Sequence, residues 1–238
     1  IRDGVPSILN PDDANALEAA LMLKDKDPDV EIAVLTMGPP QAGYMLRECL
    51  AMGADEAYLL SDRAFGGADT CATSTTIAAG IRKVEGVDVI FAGRQAIDGD
   101  TAQVGPEIAE WLGIPSVANV RRIVRAEKGA VVVEADLPQS LETTRVQFPC
   151  LLSVDKDICQ PRLPSYVKLC ASRERPVTVL TLDDMDDRDE RHYGLNGSPT
   201  QVRRIFPPES DVRREIWRGS GQTLGARLYT MLRQKKFV

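Results

Sequence analysis

The sequence predicts an α/β protein built on a largely parallel sheet with helices on both faces. Three observations carry this prediction. Between residues 10 and 112, short apolar runs alternate with helical patterns, the rhythm of repeated strand–helix–strand units. A long glycine-bearing loop, residues 93–105, separates one of these strands from the helix that follows it. The chain has 238 residues, 43% of them hydrophobic, enough core for one large domain or a domain with an appendage.

The elements follow in order. Asp3-Gly4 reads as a turn. Asn10-Pro-Asp-Asp13 reads as a helix start, because proline and acids belong in a first helical turn, and 14–24 carries an apolar stripe. A strand is expected at 30–37, and Gly38-Pro-Pro40 turns into a helix at 41–52 with Gly53 as its C′ cap. Then come a strand at 57–60, a helix at 70–84, a strand at 87–92 and a helix at 106–112. Beyond that the rhythm changes: 117–124, 130–135 and 150–154 are strand-like with little helix between them, and Gly129 turns the first pair. After residue 154 the chain reads as irregular, with a loop at 160–164 and a short strand at 177–182. The run at 183–190 is acidic and reads as solvated; His192 beside it is assigned no chemical role. The tail from Thr200 is rich in arginine and proline and ends in a helix at 223–234, a composition suited to wrapping a partner subunit. The domain division is 1–182 for the α/β domain and 183–238 for an acidic linker with a C-terminal arm. No internal repeat or low-complexity tract is visible.

Composition excludes several classes. A net charge of −6 and an isoelectric point near 5.0 argue against nucleic-acid binding. No apolar stretch approaches the roughly 20 residues of a membrane span. No secretory leader is recognisable in these residues, and the start of the chain reads as incomplete. The five cysteines, Cys49, Cys71, Cys150, Cys159 and Cys170, form no Cys-x-x-Cys pair, and His192 is the single histidine. That scattered set suits a reducing, cytoplasmic setting and leaves no metal site and no Cys–His or Ser–His pair. Cys49 and Cys150 fall in core patterns.

The chemistry concentrates in Phe91-Ala-Gly-Arg-Gln-Ala-Ile-Asp-Gly-Asp-Thr-Ala-Gln-Val-Gly-Pro-Glu107. A strand, a loop bearing Gly93, Gly99 and Gly105, and then a helix is how α/β proteins present backbone N–H groups to a phosphate. Thr101 and Gln103 add side-chain donors there, so the segment reads as a nucleotide-diphosphate site. Asp98 and Asp100 would shape the loop by accepting backbone N–H bonds. On spacing alone, a surface turn whose Asp and Gly residues serve only geometry accounts for the pattern equally well.

Further segments match one known family in order over the whole chain. They are Ile1-Arg-Asp-Gly-Val-Pro-Ser-Ile-Leu-Asn-Pro-Asp-Asp13, Leu35-Thr-Met-Gly-Pro39, Gly53-Ala-Asp55, the loop itself, and Leu141-Glu-Thr-Thr-Arg-Val-Gln-Phe-Pro149. With these the chain resembles the β subunit of an electron-transferring flavoprotein. The resemblance implies a Rossmann-like, adenine-nucleotide-binding α/β fold, paired with an α subunit that carries an electron-transferring FAD. The family's nucleotide contacts fall on Asn10, Pro11, Asp12, Asp13, Met37 and Gly38. They continue through the loop at Gln95, Ala96, Ile97, Asp98, Gly99, Asp100, Thr101, Ala102, Gln103, Val104, Gly105 and Pro106. The family also expects a first strand upstream of Ile1, and, before Leu141, a basic residue near Ala135 and an acid near Pro138. Here those features are not seen.

Two features are similar to the electron-bifurcating members, which hold a second FAD where others hold a structural AMP. One is Asp98-Gly-Asp-Thr-Ala-Gln-Val-Gly-Pro106, whose Gly99 would let backbone approach a diphosphate. The other is Phe65-Gly-Gly-Ala-Asp-Thr-Cys-Ala-Thr-Ser74, where Asp69, Thr70 and Thr73 open a helix; Asp69 can equally be a plain N-cap. In that class the second FAD takes hydride from NADH, sending one electron to ferredoxin or flavodoxin and the other, through the α-subunit FAD, to an acyl-CoA dehydrogenase-type enzyme. Arg94 is the candidate for tuning the flavin by positive charge. Gln160-Pro-Arg-Leu-Pro-Ser-Tyr-Val-Lys168 matches the family's recognition loop, which places the docking leucine at Leu163. Two other readings compete: an ATP pyrophosphatase loop at Gly66-Gly-Ala-Asp-Thr70, displaced from the first strand and lacking its serine, and a nucleotide-sensing stress protein without redox chemistry.

Overall fold

The computed structural model describes residues 7–207 and 214–238, so the expected turn at Asp3-Gly4 lies outside the described residues. The chain divides into two compact units, Ile1–Gln201 and Val202–Val238.

The first unit is mixed α/β. Its strands form two sheets rather than one continuous parallel sheet. In the smaller, β1 (Ala33–Met37), β2 (Glu56–Leu60) and β8 (Thr178–Leu180) run parallel in the order β1-β2-β8. In the larger, β3 (Val89–Gly93), β7 (Cys150–Val154) and β4 (Ser116–Glu127) run parallel. This sheet continues antiparallel through β5 (Ala130–Leu137) and β6 (Ser140–Gln147), in the order β3-β7-β4-β5-β6. The outer strands β1 and β3 contain no buried residue, whereas all five positions of β7 are buried.

Helices cover both faces, as the alternation of strand side chains requires. On β7, Cys150, Leu152 and Val154 pack with Ala16 of α1 (Pro11–Lys24), while Leu151 packs with Ile108 and Ala109 of α4 (Val104–Leu112). On β2, Ala57 and Leu59 face Leu17 of α1 and Leu46 of α2 (Gly43–Met52), while Leu60 turns to Phe65, Leu182, Met185 and Tyr193. The helix α3 (Thr70–Ile81) lies against α4.

Three segments differ from the sequence reading. β6 is missing from it because Ser-Leu-Glu-Thr-Thr-Arg-Val-Gln is the polar edge strand of its sheet, exposed at six of eight positions. Edge strands are kept polar because their open side would otherwise recruit other chains. Pro138 makes the turn between β5 and β6, so the departure from the family's signature falls at a hairpin tip. A short helix, α5 (Tyr166–Ser172), stands where the sequence reads as irregular and packs on α2. The acidic run is not a free linker. Leu182 and Met185 are buried in the core with Tyr193, whose ring lies 5.6 Å from that of Phe65. The first unit accordingly extends to Gln201. His192 Nδ1 lies 2.6 Å from Asp187 Oδ2 at this surface.

In the second unit, α6 (Gly221–Gln234) is capped by Ser220, whose hydroxyl accepts from Thr223 N at 3.3 Å. The Arg227 guanidinium sits 4.3 Å from the ring centre of Trp217, and Trp217 Nε1 donates to Glu215 at 2.8 Å. None of the residues of α6 is buried.

Candidate functional site

The long loop leaves the end of β3 and is held there by the first turn of α1. Gly93 N donates to Asp13 Oδ1 at 2.7 Å. Asn10 Nδ2 donates to Gln95 O at 2.9 Å, and Asn10 Oδ1 accepts from Ile97 N at 3.2 Å. Asn10 also donates to Asp13 Oδ2 at 2.9 Å. Asn10 is the N-cap residue of α1, yet its side chain caps no N–H of that helix; it is turned over to the loop instead. Surrounding protein thins the water around Asp13 and raises its carboxyl above the usual range, although its surface still reaches solvent. The bonds from Gly93 and Asn10 oppose that shift, and the charge of Asp12 adds to it.

Beyond Ile97 the loop is exposed through Gln103. Asp100 N closes a turn on Ala96 O at 2.8 Å. The left-handed positions are Asp100 (φ 54°) and Ala102 (φ 55°), not Gly99. Holding a non-glycine residue there costs about 1 kcal/mol, with Asp tolerating it better than Ala. Gly99 has nothing within 4 Å of where a Cβ would stand, so its backbone is open to an approaching group. α4 then begins at Val104 after Gln103, without a side-chain cap. Two helices therefore start at this loop with first-turn N–H groups that no cap side chain takes up.

The second proposed segment meets the first through Thr70. Its hydroxyl lies 3.2 Å from Glu107 Oε1 and 3.5 Å from Gln103 Oε1, joining the starts of α3 and α4. Glu107, which the sequence reading did not select, keeps Oε2 sequestered without a hydrogen-bond partner. Thr73 is half-buried one turn into α3. Asp69 is an N-cap: it accepts from Ala72 N at 3.0 Å, Thr200 N at 2.9 Å and Thr200 Oγ1 at 2.7 Å. Desolvation is the largest influence on this carboxyl and would raise it. The donors of Ala72, Thr200 and Cys71 together outweigh desolvation and leave it below the usual range. The cap's contribution is therefore complete at neutral pH and is lost as pH falls through that depressed value. Asp69→Ala is expected to cost about 1–2 kcal/mol in thermal unfolding at pH 7, with the difference from wild type shrinking in acid.

Arg94 is turned back to the protein: its guanidinium meets Asp155 Oδ2 at 3.0 Å, and its N–H donates to Val154 O at 3.0 Å. Its positive charge is thus offset at the end of β7. Met37 and Gly38 close β1, where Gly38 N donates to Leu60 O at 3.0 Å. Leu163 is 89% exposed. Burial pushes the thiols of the core residues Cys49 and Cys150 up to about 12 and about 11, and that of the partly buried Cys159 to about 11. Among the described residues no cluster of His, Cys, Asp and Glu could hold a metal ion, and no helix is long and apolar enough to cross a membrane.

Comparison with known proteins gives a consistent picture. The family model described as "Electron transfer flavoprotein domain" matches residues 1–185. The chain is 53% identical to the caffeyl-CoA reductase-Etf complex subunit CarD of Acetobacterium woodii, over all of this chain and 90% of that protein. It is 48% identical to the electron transfer flavoprotein subunit beta of Clostridium acetobutylicum, again over 100% of this chain and 90% of the relative. A third relative, the acryloyl-CoA reductase electron transfer subunit gamma of Anaerotignum propionicum, is 43% identical over 89% of this chain and 81% of its own. With the loop, its α1 clamp and these matches together, the chain belongs to the electron transfer flavoprotein family, as a β-type subunit of an electron transfer complex.

Proposed function

We propose that this subunit binds a second FAD at the 94–106 loop, within an αβ heterodimer, and takes part in electron bifurcation. The observation that carries the reading is the clamp of Asn10 and Asp13 on Gly93, Gln95 and Ile97, which presents an open, uncapped loop and helix start. The donor set suits a diphosphate: backbone N–H groups at the start of α4, open backbone at Gly99, and the exposed Thr101 and Gln103. Asp13, the acid nearest the strand end, is engaged by Gly93 and Asn10. Similarity to a subunit of a caffeyl-CoA reductase–Etf complex supports the same direction.

A flavin bound here would accept hydride from NADH and deliver one electron to ferredoxin or flavodoxin and the other, through the α-subunit FAD, to an acyl-CoA dehydrogenase-type partner. The chain's own work is to bind and orient. The Asn10–Asp13 turn fixes where the loop starts, the Thr70–Glu107 contact fixes where it ends, and the Val202–Val238 unit is assigned to the α subunit. Two observations favour the second reading, a structural AMP: Asp69 is filled by protein donors, and the charge of Arg94 is offset by Asp155.

Flavin and AMP content per heterodimer, after co-expression with the α subunit, tests the choice. Two FAD without AMP supports bifurcation, and NADH-dependent ferredoxin reduction follows as the activity. One FAD with one AMP leaves this subunit a structural, partner-docking element and removes the leading reading. For Leu163, truncation to alanine is expected to weaken reduction of the dehydrogenase partner about ten-fold with nucleotide content unchanged, since an exposed apolar anchor acts only in the complex. Loss of flavin in that variant would sink the docking role.

A further inference from the structure

The buried face of α1 carries Ala16, Leu17, Ala19, Ala20 and Leu21, and in their midst a carboxylate, Glu18, whose side chain is 8% exposed. A buried carboxylate is costly unless its oxygens are filled. One residue fills them. Arg162 Nε lies 2.8 Å from Oε2 and 3.1 Å from Oε1, Arg162 Nη2 lies 2.8 Å from Oε1, and the Arg162 backbone N–H donates to Oε2 at 3.0 Å. The far side of the guanidinium meets Asp25, with Nη2 at 2.6 Å and Nη1 at 3.3 Å. Just upstream, Asn15 Nδ2 donates to Cys159 O at 2.6 Å. Polar side chains of α1 thus hold segment 156–162 along the helix.

The residue after this anchorage is Leu163, fully presented to solvent between Pro161 and Pro164. The prolines limit the local backbone, but they do not set the direction of the segment relative to the domain. A backbone N–H and a forked guanidinium on the preceding residue do. We propose that Arg162 is a positioning residue for partner docking: its fork across Glu18 and Asp25 fixes the backbone that holds Leu163 outward. This rests on the reading of Leu163 as the docking residue. Preorganisation of this kind raises affinity by removing the ordering cost at association, without adding a contact. The same network ties docking to α1, the helix whose first turn clamps the nucleotide loop.

The test uses the αβ complex with its bound nucleotide and caffeyl-CoA reductase from Acetobacterium woodii as the electron-accepting probe. Arg162→Leu alone would strand a buried carboxylate, so the main variant is the double Glu18→Leu/Arg162→Leu, which replaces the ion pair with apolar side chains. Arg162→Lys is the conservative comparison, because an ammonium cannot reproduce the fork. Expected in the double variant are unchanged nucleotide content, unchanged kcat, an apparent KM for the reductase raised on the order of ten-fold, and faster amide exchange across 162–165. Arg162→Lys is expected to recover little of the KM. Unchanged KM and exchange in the double variant, while Leu163→Ala still raises KM, would overturn the anchoring role and leave docking standing. Unchanged KM in Leu163→Ala would remove the docking reading and this inference with it.

Discussion

Gly93→Ala is expected to abolish most of the nucleotide binding proposed for this loop and to lower the unfolding free energy by about 3 kcal/mol, the upper end for forcing a methyl into a packed site. A Cβ at position 93 would stand 2.6 Å from Asp12 C, 2.7 Å from Asp13 N and 2.8 Å from Asp12 Cβ. Two of these are backbone atoms, so no rotamer change relieves the collision. β3 cannot retreat without breaking its five-residue pairing with β7, and β7 is buried throughout. The first turn of α1 must therefore move. Moving it lengthens the Gly93–Asp13 bond and pulls Asn10 away from Gln95 and Ile97. Nucleotide stoichiometry with a melting curve reads both effects, and full nucleotide retention would show that α1 does not shape the site. Gly99→Ala is the contrast. That position has an ordinary backbone conformation and open space, so stability is expected to hold while nucleotide affinity falls if a diphosphate approaches the backbone there.

Replacing Asn10 separates two kinds of loss. Asn10→Ala removes a donor to Gln95 O and an acceptor for Ile97 N, leaving both loop groups to water or to strain. With about 1 kcal/mol for each bond, nucleotide affinity is expected to fall on the order of ten-fold to thirty-fold. Asn10→Asp is nearly isosteric yet should be worse. It keeps the acceptor, loses the donor and sets a second carboxylate where Nδ2 now lies 2.9 Å from Asp13 Oδ2. Asp13 already holds its proton more tightly than an ordinary aspartate, and a facing negative charge drives it further in that direction. Lowering the pH then places one proton between the two carboxyls, so the deficit of Asn10→Asp relative to Asn10→Ala should shrink in acid. Nucleotide titrations of the two variants across a pH series check this. An Asn10→Asp variant that binds better than Asn10→Ala at neutral pH would contradict it.

Much of the architecture was legible in the chain because local rules and tertiary structure agree there. Pro11 and two acids place the start of α1, and apolar runs bounded by glycine and proline place β1, β2, β3 and β7. The loop's place between a strand and a helix was legible for the same reason, but spacing alone left a surface turn as an equal account, and only the ordered family segments around it pointed to a nucleotide site. β6 was not legible, since an edge strand's polar face carries no strand pattern. The packing of the acidic run was hidden because Leu182 and Met185 are two apolar residues in a charged stretch.

What the sequence determined by itself is the alternation of strands and helices up to α4, the position of the loop and the family. Only the tertiary structure decided which groups hold the loop. Asn10, a nucleotide contact by resemblance, spends its side chain on the loop; Asp69, open between cofactor contact and N-cap, caps its helix; Arg94, the candidate for tuning a flavin by charge, is paired with Asp155. Glu18 gave a visible sign, a carboxylate in an apolar stripe, but its partner lies 144 residues away. The physical reason is common to all four. Residue type sets what a polar group can bond, while the partner it takes depends on which distant backbone or side chain the packing brings within about 3 Å.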